Sequence, residues 1–164
     1  MNEIDVNKYA KKFGTVLKSI NEGLKGLTDI QVENVTYYIE KEVVVKKSQY
    51  TTESNVERII ANQLEDRFGK VHRQYSIGGY LGLKCDIDIH DGKVGIEIKL
   101  ANQLTTSNIE RLFGQILYYS RRTYKQNLIV LVVGTEKEAD RKVEEIADII
   151  NELGLKFIYL EVTK

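Results

Sequence analysis

The stretch CDIDIHDGKVGIEIKL, residues 85–100, holds two runs in which apolar and charged residues alternate, with Asp91-Gly92 between them. Alternation with a period of two is a strand signal, and Asp-Gly tolerates the positive φ angles of a tight turn, so the stretch reads as a β-hairpin. Successive side chains on a strand point to opposite faces. Cys85, Ile87 and Ile89 are therefore expected on one face with Ile96, Ile98 and Leu100. Asp86, Asp88 and His90 fall on the other, with Gly95, Glu97 and Lys99. With both apolar sets on one core, three carboxylates and a lysine converge on the opposite face.

The flanking segments say what kind of sheet this hairpin joins. Ser54-Asn55-Val56-Glu57 has capping-box spacing and precedes the stripe Ile59, Ile60, Leu64 and Phe68, a helix that stops at Gly69. Residues 70–77, KVHRQYSI, read as a strand, followed by the loop GGYLG at 78–82. Ser107-Asn108-Ile109-Glu110 repeats the capping box and opens a second helix to about Arg122. NLIVLVV, residues 127–133, is a continuous apolar run of the kind a strand buried on both faces requires. A third helix, from about Lys137 to Leu153, and a last strand in KFIYLEV, residues 156–162, complete the order αβββαβαβ. Helices alternating with strands in this way predict an α/β fold with some parallel pairing.

Residues 1–50 read as an N-terminal, helical extension, and residues 51–164 as the main domain. Ile4, Val6, Tyr9, Phe13, Val16, Leu17, Ile20 and Leu24 recur at helical spacing, with Gly23 and Gly26 as stop signals. Thr28 and Gln31 suggest a capping box for a segment in which Val32, Val35, Ile39 and Val43 share a helical face, although its β-branched content leaves a strand open.

At 164 residues, 42% apolar and 29% charged, the chain has the composition of a single globular domain rather than of a disordered or fibrous protein. No apolar run approaches the roughly 20 residues of a membrane helix, and the first residues lack the apolar core of a secretory signal. A cytoplasmic protein without membrane association is expected. The one cysteine and two histidines are too few for a Cys/His zinc site, so any metal would be held by oxygen. Twenty-four basic residues balance twenty-four acidic ones, and binding to nucleic acid would require local clustering.

Oxygen-only clusters such as Asp86, Asp88 and Glu97 suit Mg²⁺ or Mn²⁺, which favour octahedral oxygen coordination. A bound dication lowers the pKa of water and neutralises charge on a phosphoryl group, and a neighbouring lysine steadies the attacking hydroxide or the developing charge. A hairpin with a polar face often carries such residues only because that face is solvated. Here the hairpin lies between helices in an α/β order, where both faces should be covered, which favours a cleft.

Asp86, then Glu97-Ile98-Lys99 eleven residues later, with Glu57 on the preceding helix and Gln115 and Tyr119 on the following one, resembles the PD-(D/E)XK nuclease superfamily. The likeness runs from about residue 54 to the C-terminus and includes the αβββαβ order of the restriction-endonuclease-like core, here with an extra C-terminal helix and strand. It implies a metal-dependent deoxyribonuclease, a hydrolase of phosphodiester bonds, working with Mg²⁺ or Mn²⁺ in repair, recombination, restriction or defence. Asp86, Glu97, Glu57 and the backbone carbonyl of Ile98 would hold the metal, and Lys99 would position or activate the water. Asp88, on the face of Asp86 by alternation, is the alternative or additional ligand. GQILYY, residues 114–119, resembles the Gln-x-x-x-Tyr element of the RecB-type branch, placing Gln115 and Tyr119 one turn apart and facing the site. Cys85 stands where the superfamily's name has proline.

Each supporting residue has a plainer role to set beside this. Glu57, at the fourth position of a capping box, could simply close its helix, and Gln115 and Tyr119 could simply pack a helix against the sheet. His90 adjoins the turn and is expected to be exposed. Phosphate contacts, if made, would come from Lys46-Lys47, from Arg67, Lys70 and Arg73, or from Arg121, Arg122 and Lys125. The loop GGYLG lacks the context of a phosphate-binding loop and is expected to be flexible, within reach of DNA. DNA is the expected partner, with RNA as an alternative, and a homodimer would match the two-fold symmetry of a duplex. The competing functions are a non-catalytic nucleic-acid- or protein-binding module on the same fold, and a nuclease subunit that needs a partner chain.

Overall fold

The computed structural model describes residues 30–164, so the helical reading of residues 1–27 and the Thr28 cap lie outside the described residues. Val32–Glu42 forms helix α1 and Glu53–Phe68 helix α2. Strands β1 (Val71–Ser76), β2 (Lys84–Ile89) and β3 (Val94–Leu100) follow. Helix α3 (Thr106–Tyr119), strand β4 (Leu128–Gly134), helix α4 (Arg141–Glu152) and strand β5 (Lys156–Glu161) complete the chain. The protein is α/β, with one open five-stranded sheet in the order β1-β2-β3-β4-β5. The pairs β1–β2 and β2–β3 are antiparallel, whereas β3–β4 and β4–β5 are parallel.

The all-apolar β4 is explained by its place in the middle of two layers. Ile129, Leu131 and Val133 pack with α1 and α2, in a cluster that also takes Ile87, Ile89, Ile96, Ile98 and Leu100. Leu128, Val130 and Val132 join Leu112 and Ile116 of α3 and Val143, Ile146 and Ile150 of α4. A strand covered on both faces has no use for a polar side, and every residue of β4 is buried. Val32, Val35 and Ile39 of α1 belong to the first cluster, which resolves the strand-or-helix ambiguity of that segment in favour of a helix. A bridge between Lys46 and Thr163 ties the segment after α1 to the C-terminal end.

Both capping boxes are displaced. Thr52 and Thr105, not Ser54 and Ser107, are the N-caps, and their hydroxyls accept from the N–H groups of Asn55 and Asn108. The earlier threonines win because those asparagines can also tie back: the Asn55 amide donates to the Gln49 carbonyl and Thr51 hydroxyl, and the Asn108 amide to the Gln103 carbonyl. Helix α4 begins at Arg141 rather than near Lys137, because Asp140 caps it through the N–H of Val143 and a short 3₁₀ turn precedes it. The hairpin turn is wider than Asp91-Gly92 alone: the last paired residues are Ile89 and Val94, and His90, Asp91 and Gly92 all have positive φ. This wider turn folds His90 inward, where its ring nitrogen lies 2.7 Å from the Phe68 carbonyl and its backbone N–H bonds to Lys70. His90 is therefore buried, not exposed as expected.

Candidate active site

Strands β2 and β3 pair only from Ile87 to Ile89 and from Val94 to Ile96. Beyond that point they part, β2 staying with β1 and β3 with β4. The Asp86 carboxylate spans the gap, Oδ2 accepting from the Ile98 N–H at 2.8 Å. A side chain thus replaces the backbone ladder, and regular alternation ends there. Cys85 consequently packs in the second cluster, apart from Ile87 and Ile89, with its thiol 3.4 Å from the Ile96 carbonyl. Asp86 and Asp88 do not share surroundings either.

The gap gathers the charged groups. Glu97 is 1% exposed, and one of its oxygens lies 3.4 Å from Lys99 Nζ. Lys99 also reaches Glu53 at 3.5 Å. Glu53 and Glu57 stand one turn apart at the start of α2, so both project from one face of that helix toward the gap. Glu57 is buried, accepting from Arg73 Nε at 3.0 Å and from the Gln74 amide at 3.0 Å. The same Gln74 amide nitrogen lies 3.2 Å from Asp86 Oδ1 and so links the helix carboxylate to the strand carboxylate. With Thr52 as N-cap, Glu57 is past the first turn, and the capping role considered for it does not arise.

Four carboxylates, Glu53, Glu57, Asp86 and Glu97, face two cations, Lys99 and Arg73. Burial pushes the Glu97 carboxyl well above its ordinary range, and the neighbouring Asp86 charge adds to the effect against the pull of Lys99. Glu57 and Glu53 are raised as well, chiefly by burial. Burial pulls Lys99 down, but Glu97, Glu53 and Asp86 together outweigh it and leave its ammonium held above the usual value. Glu97 Oε2 is buried without a hydrogen-bond partner. Such a group destabilises the fold that carries it. In chelator, Glu97→Gln is expected to raise Tm by about 4 °C, for a gain of about 1–2 kcal/mol, because burial and the Asp86 charge penalise an ionised carboxylate at this position and an amide carries no charge. A fall in Tm would contradict this balance of charges.

The remaining expected residues are placed elsewhere or are already engaged. Asp88 is fully buried, and its Oδ2 accepts from the Tyr124 hydroxyl at 2.7 Å and the Gly92 N–H at 2.8 Å. It braces the hairpin turn against the segment after α3. Tyr124→Phe is expected to destabilise the protein by about 2 kcal/mol in a denaturant titration, since it removes a hydrogen bond to a buried carboxylate. Tyr119 is buried and its hydroxyl donates to the Lys84 carbonyl; burial raises its pKa, and the charges of Glu97 and Asp86 add to the rise. Tyr119 thus ties α3 to the start of β2, two residues from Asp86, and Gln115 Oε1, one turn earlier on α3, is another buried atom without a partner. Arg73 is exposed, but its guanidinium is committed to Glu57 and to Ser54. Arg121 is exposed, beside Leu117, Tyr118 and Arg122.

Two members of the cluster had no signal in the sequence. Glu53 looks like any acid in the first turn of a helix. Gln74 lies in a run without clear alternation, yet its φ of +51° in the middle of β1 is a strained conformation that aims its amide at Glu57 and Asp86.

What the fold and the cluster define is an α/β protein whose mixed sheet opens between two strands to hold a buried carboxylate–lysine group. No family model, no curated protein and no solved structure matches the chain. Among the described residues, no helix is long and apolar enough to cross a membrane, and no three histidine, cysteine or acidic side chains converge closely enough to hold a metal ion as they stand.

Proposed function

We propose that the protein is a Mg²⁺-dependent nuclease of the PD-(D/E)XK kind that hydrolyses phosphodiester bonds of DNA. The observation that carries this reading is the parting of β2 and β3, with Asp86 bridging the gap beside Glu97 and Lys99. The chemistry of the donors suits a hard dication, since they are all oxygens, they carry surplus negative charge, and Glu97 Oε2 is buried and unpartnered, but the carboxylates stand too far apart to ligate as they are and would have to close around the ion. Asp86, Glu97 and Glu57 would hold the ion, with the Ile98 carbonyl as the backbone donor the superfamily adds. When bound, the ion would supply a more acidic water and charge neutralisation at the phosphoryl group. Lys99, an ammonium among carboxylates, orients the attacking water and offsets the charge that develops on the phosphoryl oxygens. Glu53 fixes the lysine from the side of α2. Tyr119 closes α3 against the start of β2, two residues from Asp86.

One observation favours a second reading. Gln74 and Arg73 already satisfy Glu57, and Gln74 also engages Asp86, which is the arrangement expected of a non-catalytic binding module. Titration calorimetry with Mn²⁺ separates the two. The nuclease reading expects saturable binding by wild type that Glu97→Ala abolishes; absence of binding by wild type supports the module.

A further inference from the structure

The loop between β1 and β2 and the end of α3 form a surface that the carboxylate cluster does not use. The N–H of Ile77 bonds to the Leu83 carbonyl at the base of the loop, and Gly78, Gly79 and Gly82, all with positive φ, turn the chain outward between them. Tyr80 stands wholly in solvent and Leu81 is 66% exposed. The loop nonetheless rests on α3: the Tyr118 hydroxyl donates to the Gly78 carbonyl at 3.4 Å. A Cβ on Gly79 would lie 2.8 Å from that hydroxyl and 3.5 Å from Arg122 Nε. Next to it, Leu117, Tyr118, Arg121 and Arg122 line an open cavity of ≈ 390 Å³ with no acidic residue in its wall. The Tyr118 ring meets the Tyr119 ring edge-on at 6.3 Å, and the Tyr119 hydroxyl donates to the carbonyl of Lys84, two residues before Asp86. One helix therefore runs from the gap to this platform.

We propose that the platform of Tyr80, Tyr118, Arg121 and Arg122 binds a single-stranded segment of nucleic acid and leads it toward the gap. The proposal rests on the nuclease reading for its purpose but not for its chemistry. Tyr80, fully exposed and next in the chain to Gly79, which lies against Tyr118 and Arg122, offers a π-face to a base, and the arginines of α3's end offer cations to its phosphates. Bases in a duplex are already stacked and leave only phosphates to meet such a surface. The absence of carboxylates from the cavity wall suits a polyanion better than a protein surface of mixed charge. The substrate class is accordingly a single strand, or a duplex with an unpaired end or flap.

The test is fluorescence anisotropy in chelator, with labelled oligothymidylate and duplex DNA of about 20 nucleotides or base pairs. Wild type is expected to prefer the single strand. Tyr80→Ala should weaken single-strand binding roughly tenfold, while Tyr80→Phe keeps it and duplex binding is unchanged. Replacing Arg121 and Arg122 together by alanine should weaken both and reduce the salt dependence by about 1–2 in slope. A preference for duplex, an unaltered affinity for Tyr80→Ala, or self-association lost with Tyr80 in a protein that binds neither DNA would each overturn the proposal. Because no cleavage is read, a protein that binds single strands in this way but cuts nothing refutes the nuclease reading alone. One that cuts duplex with Tyr80 irrelevant refutes the platform alone.

Discussion

Lys99→Ala is expected to lower Mg²⁺-dependent cleavage roughly a thousandfold, about 4 kcal/mol of transition-state stabilisation, while Mn²⁺ affinity changes by no more than about threefold. The lysine lies 3.4 Å from Glu97 and 3.5 Å from Glu53, with only 13% of its side chain exposed, so its ammonium is fixed rather than sampling solvent. A fixed cation in a poorly solvated gap contributes most where negative charge grows during the reaction, and contributes little to holding a dication of like charge. Single-turnover cleavage and metal titration on the same preparation check the two halves separately. An equal loss of metal affinity and rate would mean that Lys99 organises the carboxylates and nothing more.

Gly95→Ala is expected to destabilise the protein by about 3 kcal/mol, lowering Tm on the order of 10 °C. The added methyl would lie 2.5 to 2.7 Å from three atoms of the Tyr124 ring. That ring has nowhere to go: Tyr124 is 1% exposed and its hydroxyl is held by Asp88 at 2.7 Å. Overpacking against a pinned aromatic displaces backbone rather than side chain, and here the backbone is β3, which carries Glu97 two residues on. A double variant, Gly95→Ala with Tyr124→Ala, should be less unstable than the sum of its parts, because one change vacates the volume the other fills. Strict additivity by denaturant titration would contradict the contact.

The two halves of the hairpin differ in how far the sequence revealed them. The strands, their turn region and the joint placement of Asp86, Glu97 and Lys99 were legible because alternation and spacing are local properties. Cys85 was misplaced, and Asp88 was set beside Asp86 when it sits with Gly95 against Tyr124, for one reason: alternation assumes a continuous ladder, and the Asp86 carboxylate interrupts it by taking the Ile98 N–H. His90 was misplaced because a two-residue turn was assumed where a four-residue one folds the ring back onto Phe68. The helices were found, but their starts shifted by two to four residues, since several capping residues stood in a row and tertiary ties chose among them. Gln74 and Glu53 could not have been read at all. Their roles depend on the distance between β1, α2 and the gap, which no local pattern encodes.

The carboxylate–lysine cluster as a catalytic centre is tested most directly by cleavage. Purified wild type and Glu97→Ala, side by side, would be incubated with labelled single-stranded DNA, duplex, junction and RNA in Mg²⁺ or Mn²⁺. Cleavage of at least one DNA form by wild type, lost with chelator and in the Glu97→Ala protein, is the expected result. A wild-type protein that cleaves none of them with either ion, or a Glu97→Ala protein that cleaves as fast as wild type, would contradict the account.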